Sequence, residues 1–144
     1  MRWAAGTSPA VHHRSTINGA FESMARILVV DDSPTEVHQL AEILRRHGHD
    51  VISAETGRQG VQLAQSEQPD LVLMDVVMPE INGFQATRQI SRSDNTRHIP
   101  VIIVSSKDQD ADRVWGERQG ARGYLTKPVR ESDLMASVHG VLQG

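Results

Sequence analysis

The sequence predicts an α/β fold: one parallel β-sheet of five strands, doubly wound, with five helices packed on its two faces. Three observations carry that expectation. From Ala25 onward, short β-branched runs alternate with longer stretches of helical period, the pattern of repeated βα units. Several of the short runs are apolar without alternation, as strands covered on both faces must be. At 144 residues the chain is long enough to bury one core but not two.

The strands read as Arg26 to Val30, Val51 to Ala54, Leu71 to Met74, Val101 to Val104 and Gly123 to Thr126. The first helix carries a strong start signal: Ser33 to cap, Pro34 in the first turn, and Glu36 to complete a capping box. Its buried stripe is Val37, Leu40, Ala41 and Leu44, and Gly48 ends it. The second helix runs from about Arg58 to Glu67, with Val61 and Ala64 inward, and stops before Pro69. The third follows Gly83, with Phe84 and Thr87 inward and Ile90 competing with Arg88 for the same face. The fourth covers about Gln109 to Gln119, ending at Gly120, and the fifth Glu131 to Leu142, with Leu134, Val138 and Val141 or Leu142 as its stripe.

Residues Met1 to Ser23 are rich in Ala, Ser, Thr, Gly and His, show no sustained period, and read as a disordered leader. Met24 stands directly before the first strand, so the leader reads as an upstream start or an added tail, and 24–144 as the folded domain.

Bulk composition narrows the function. With 15 basic and 18 acidic residues and a net charge of -3, the chain has no positive excess to hold a phosphate backbone, so nucleic acid is not an expected partner. The absence of cysteine removes disulfide and thiolate chemistry and agrees with a reducing, cytoplasmic setting. No apolar run approaches the roughly 20 residues that span a bilayer. No membrane association is expected.

In an open parallel α/β sheet, ligands bind outside the carboxyl ends of the strands. Asp31 and Asp32 follow the first strand, Asp75 the third, Ser105 the fourth and Lys127 the fifth. Any one of these alone reads as a cap or a solvated loop residue, and Asp31 and Asp32 could simply oppose the positive end of the first helix. Their joint placement at the same ends of the strands points to chemistry instead. Carboxylates a few ångströms apart hold raised pKa values unless a cation joins them, and an all-oxygen set favours a hard ion, magnesium first. Zinc is disfavoured, because neither Cys nor paired His stands at a strand end. Such a metal would neutralise charge on a phosphoryl group attacked by one carboxylate, with Lys127 as a point charge and the Ser105 hydroxyl as a hydrogen-bond donor.

From Ala25 to Leu142 the chain resembles the receiver domains of two-component response regulators, the CheY-like family. The motifs are VVDDS (Val29 to Ser33), LMDVVMPEING (Leu73 to Gly83), VSS (Val104 to Ser106) and YLTKP (Tyr124 to Pro128). The resemblance implies the flavodoxin-like strand order 2-1-3-4-5 and a phosphoacceptor at Asp75. It makes Asp32 a direct magnesium ligand, Asp31 a ligand through water, and the backbone carbonyl of Val77 the third protein ligand, with manganese as a substitute ion. It makes Ser105 the switch hydroxyl, Lys127 the phosphoryl-binding lysine, Tyr124 the switch aromatic, and the Lys127-Pro128 bond cis. Val77 and Lys107 occupy positions at which relatives vary and which flank the path of the attacking water.

Within that family, GFQATRQI, KDQ, VWG, RQGA and YLTKPV look like the small twitching-motility regulators of type IV pilus chemosensory systems, the PilH type. The implied function is a stand-alone regulator that takes a phosphoryl group from a chemosensory histidine kinase. It would then bind a protein target through its helix 4, strand 5, helix 5 face, as a monomer or weak dimer. It would be no enzyme beyond its own phosphorylation and dephosphorylation. The alternative is a phosphoryl sink for that kinase. A haloacid-dehalogenase-like phosphatase would need Asp-x-Asp after the first strand, where this chain has an adjacent pair. A flavodoxin-like carrier would need a hydroxyl-rich loop there and more aromatics than 3%. Of the remaining residues, Trp115, which follows Val114 and lies four residues after Ala111, is expected to pack at the edge of the fourth helix's buried stripe, with anchoring of a partner as the alternative; Gly116 is expected to loosen that helix, and His47 and His49 to be turn residues.

Overall fold

The computed structural model describes residues 24–144, so the expected leader lies outside the described residues. Its elements are β1 (Arg26–Val30), α1 (Pro34–Arg46), β2 (Asp50–Ala54), α2 (Gly57–Glu67), β3 (Leu71–Met74), α3 (Gly83–Arg92), β4 (Val101–Ser105), α4 (Asp110–Arg118), β5 (Gly123–Thr126) and α5 (Glu131–Gln143). All four strand pairings are parallel, in the order β2-β1-β3-β4-β5.

Side-chain alternation along the central strands builds two cores. Ile27, Val29, Leu71, Leu73, Ile102 and Val104 face α1 and α5, where Leu40, Leu44, Leu134 and Val138 meet them. Their neighbours Leu28, Val30, Val72, Met74 and Val101 point to the opposite face, against Val61 and Ala64 of α2 and Ala86 and Ile90 of α3. A strand buried on both faces needs no polar residue at either phase, which is why β1, β3 and β4 read as unbroken apolar runs. Ile90 takes the inward face of α3 and Arg88 is exposed.

Helix ends follow local chemistry. Ser33 Oγ accepts from the Glu36 backbone N–H at 3.3 Å, Thr56 from Gln59 at 3.0 Å, and Asn82 and Gln85 form a reciprocal capping box. The capping box expected at α1 is only half formed. The Ser33 backbone N–H donates to Asp31 Oδ1 at 2.9 Å, so Glu36 has no donor there to reach back to. At the other end of α1, Gly48 adopts φ +89° and the His49 N–H closes onto the Leu44 carbonyl at 3.1 Å. His49 is more than a turn residue: it is buried, and its Nδ1 accepts the Ala25 N–H at 3.1 Å, tying the start of β1 to the turn.

Trp115 corrects the sequence expectation. It is 48% exposed, as is Val114. The reason lies in the neighbouring glycine: a Cβ on Gly116 would lie 2.9 Å from Ile103 Cδ1 and 3.3 Å from the Tyr124 ring. Helix α4 therefore rests on the sheet through Gly116, its one buried residue, and the large side chain beside it turns outward. Urea denaturation checks this assignment. Leu134→Ala, at a fully buried position, is expected to cost about 2–5 kcal/mol, whereas Trp115→Ala is expected to cost less than about 0.5 kcal/mol.

Candidate functional site

The sheet ladder itself delivers the site residues. Just beyond the strand ends, the Asp31 N–H donates to Ala54 O of β2 at 3.0 Å, the Asp75 N–H to Val30 O of β1 at 2.9 Å, and the Lys127 N–H to Ser105 O of β4 at 2.9 Å. Each site residue is thus held by the last residue of a neighbouring strand. The side chains emerge at one edge, and carboxylate oxygens of Asp31, Asp32 and Asp75 lie within 4.8 Å of one another.

Lys127 Nζ sits among carboxylates: 2.8 Å from Asp31 Oδ2, 3.4 Å from Asp75 Oδ1 and 3.5 Å from Glu36 Oε1. Asp31 is buried with both oxygens engaged, one by Lys127 and one by the Ser33 N–H. Asp32 is exposed. Asp75 is buried and accepts the Val76 N–H at 2.9 Å. Burial first, and the Asp31 charge second, push the Asp75 carboxyl above the usual aspartate range, against the opposing pull of Lys127 and the Val76 N–H. For Lys127, burial is the largest single influence and works downward. The hydrogen bond to Asp31 and the charges of Asp75, Asp31 and Glu36 together outweigh it, so the ammonium is held above the ordinary lysine value.

Ser105 is fully buried at the end of β4, and its Oγ accepts the Lys107 N–H at 3.1 Å. The Tyr124 hydroxyl donates to Lys107 O at 2.6 Å. The two candidate switch residues therefore grip the same residue of the β4–α4 loop, one at its amide and one at its carbonyl. Burial raises the Tyr124 phenol above its ordinary pKa. Arg113 lies over the Tyr124 ring, 5.1 Å from its centroid, and donates to Thr126 Oγ1 at 2.8 Å. Val77 is 62% exposed beside the site, and the Lys127-Pro128 bond is cis.

The fold brings Asp31, Asp32, Asp75 and Lys127 together, ties Ser105 to Lys127 through a backbone hydrogen bond, and adds three residues. Glu36 reads from sequence as half of a capping box, yet it faces Lys127; its place four residues after Asp32, on the first turn of the helix leaving β1, was the available signal. Arg113 carried no motif signal. Gly83 reads only as a helix start, but a Cβ there would overlap the carbonyl oxygen of Asp75, so α3 approaches the acid's own backbone as only glycine permits.

What the arrangement can do follows from its donor set. Three clustered carboxylates of oxygen type, one buried with a raised pKa, fit a hard divalent cation of the magnesium class. Of the three acids Asp32 is the exposed one, whereas both oxygens of Asp31 are already engaged.

Two predictions test this description. Because the folded-state pKa of Asp75 stands above the ordinary 3.8, its ionisation opposes folding; the cost is absent below 3.8 and grows as pH rises through the folded value. In chelator at neutral pH, Asp75→Asn is expected to raise Tm by a few degrees, a gain that vanishes as pH falls toward 3.8; equal melting of the two proteins at neutral pH contradicts this. Gly83→Ala is expected to lose about 1–3 kcal/mol through overpacking and to shift the amide resonance of Asp75, whose carbonyl it displaces.

Comparison with known proteins agrees with the geometry. The family model described as the response regulator receiver domain matches residues 27–139. The chain is 60% identical over 121 residues to protein PilH of Pseudomonas aeruginosa, covering 84% of this chain and 100% of that protein. It is 35% identical to the alkaline phosphatase synthesis transcriptional regulatory protein PhoP of Bacillus subtilis, covering 82% of this chain but 48% of that protein. Among solved structures, the receiver domain of a sensor histidine kinase from Pseudomonas aeruginosa, with a magnesium ion coordinated in its active site cleft, superposes with a TM-score of 0.77 at 29% identity, covering 83% of this chain and 98% of that one. The chain belongs to the response regulator receiver domain family.

Proposed function

We propose that Asp75 accepts a phosphoryl group from a chemosensory histidine kinase and that the protein signals by phosphorylation-dependent binding to another protein, in the control of type IV pilus twitching motility. The observation that carries the reading is the buried Asp75 carboxylate with an ammonium at 3.4 Å and two further acids within ligand distance of a shared cation. The identity with PilH along that protein's whole length supports the motility assignment. Asp32, Asp75 and the Val77 backbone carbonyl would hold magnesium, with Asp31 acting through water and manganese as a substitute. Such an ion neutralises charge on the phosphoryl oxygens. Asp75 is the nucleophile, Lys127 supplies a fixed positive charge to the transferred group, and the Ser105 hydroxyl, which accepts the Lys107 N–H and lies against the Tyr124 hydroxyl, turns to donate its hydrogen. The protein is a phosphoacceptor that catalyses its own phosphorylation and dephosphorylation, and no other reaction is assigned to it.

The output runs through Lys107. A phosphoryl group adds close to two negative charges and strong acceptor oxygens. Ser105 turning toward it releases the Lys107 amide, and the Lys107 carbonyl carries the change to Tyr124 and Arg113. Those two line a groove of about 570 Å³ with Leu125, Thr126, Val129 and Asp133, and this α4–β5–α5 face is where a target binds. Two or three charge-assisted hydrogen bonds supply the few kcal/mol that bias a two-state element. If the groove does not respond, the protein acts as a phosphoryl sink.

Mass spectrometry after treatment with acetyl phosphate and magnesium is expected to place one hydroxylamine-sensitive phosphate on Asp75, lost in Asp75→Asn and in excess chelator. Incorporation by Asp75→Asn at the parental level sinks the assignment. Beryllofluoride with magnesium is expected to shift amide resonances from Ser105 through Tyr124, and Ser105→Ala to weaken the shifts while leaving phosphorylation in place.

A further inference from the structure

We propose that Glu36 is a positioning residue for Lys127, a competing carboxylate that restrains the ammonium from the incoming phosphoryl group and so slows phosphorylation of Asp75. The inference rests on the reading of Asp75 as phosphoacceptor. Glu36 Oε1 lies 3.5 Å from Nζ, nearly the same distance as Asp75 Oδ1 at 3.4 Å. Its direction is set by the first turn of α1. The Ser33 N–H, to which a glutamate at this position would return, is already taken by Asp31, and the positive end of the helix favours a negative charge there.

Glu36 differs from its neighbours in one respect. Asp31 and Asp75 belong to the group of carboxylates that can share a cation, and Glu36 does not. A divalent ion at that group offsets the charge with which Asp31 and Asp75 hold the lysine, whereas Glu36 keeps its full hold. In the metal-loaded protein Glu36 is therefore the carboxylate against which a phosphoryl oxygen must compete for Lys127. The competition is mild, since the Glu36 side chain is 39% exposed and Lys127 17%, so solvent screens the pair. The effect belongs to the rate and lifetime of phosphorylation rather than to its occurrence.

The test is the rate of phosphorylation by acetyl phosphate at saturating magnesium, for the parent and for three variants. Glu36→Gln keeps the side-chain length and the backbone cap and removes the charge; it is expected to be phosphorylated about 1.5- to fivefold faster, the range open to a partly exposed ion pair, and to bind beryllofluoride more tightly by a similar factor. Glu36→Asp, one methylene shorter, is expected to fall between Glu36→Gln and the parent. Glu55→Gln removes an exposed acid that follows β2 at the same end of the sheet, and is expected to match the parent. A Glu36→Gln rate equal to or below the parent's overturns the inference, as does equal acceleration by Glu55→Gln, which would reduce the effect to net charge. A parent that takes up phosphate on Asp75 while Glu36→Gln behaves identically removes this inference alone. A parent that takes up none removes the reading beneath it as well.

Discussion

Three carboxylates crowded within 4.8 Å at one edge of a sheet repel each other, and the rest of the structure is arranged around that repulsion. Lys127 relieves part of it, with Nζ 2.8 Å from Asp31 and 3.4 Å from Asp75. The relief is incomplete: burial first and the Asp31 charge second still hold Asp75 above the ordinary aspartate pKa. A site left with that residual conflict favours a divalent cation and then a phosphoryl group, whose charge the cation and the ammonium together offset. Sensitivity to phosphorylation is in this sense stored in the unphosphorylated protein as electrostatic strain.

The fold makes the crowding possible because its backbone is over-determined there. The hydrogen bonds from Asp31, Asp75 and Lys127 into β2, β1 and β4 are extensions of the parallel ladder, so these residues cannot drift apart without breaking sheet pairing. Gly83 brings α3 against the Asp75 carbonyl from the other side. By contrast, α4 is held to the sheet through a glycine and leaves Val114 and Trp115 exposed. The backbone is thus pinned under the acids, whereas α4, beside Ser105 and Tyr124, buries a single residue.

Much of this was legible in the amino-acid order. Unbroken apolar runs identified β1, β3 and β4 because burial on both faces erases alternation, and the strand ends then located Asp31, Asp32, Asp75, Ser105 and Lys127. The strand order was not readable from periodicity, since crossover connections leave no local trace, and it came from the family resemblance. Trp115 was misjudged because its spacing, four residues after Ala111, suggested the edge of the buried stripe, whereas close helix–sheet approach selected Gly116 for the inward position. Glu36 was assigned to a cap because sequence cannot reveal that Asp31 already occupies the Ser33 amide. Arg113 lay beyond reach for a similar reason: its partners Tyr124 and Thr126 sit on a strand that only the tertiary fold brings beside α4.

Whether a divalent cation resolves the electrostatic conflict of the acid cluster is read most directly from thermal melting as a function of magnesium concentration. An ion bound by the folded chain alone must raise Tm progressively once its concentration exceeds the dissociation constant. Such a rise is expected for the parent and is expected to be greatly reduced in Asp32→Ala. A parent Tm indifferent to millimolar magnesium, or an equal rise in Asp32→Ala, would contradict this expectation.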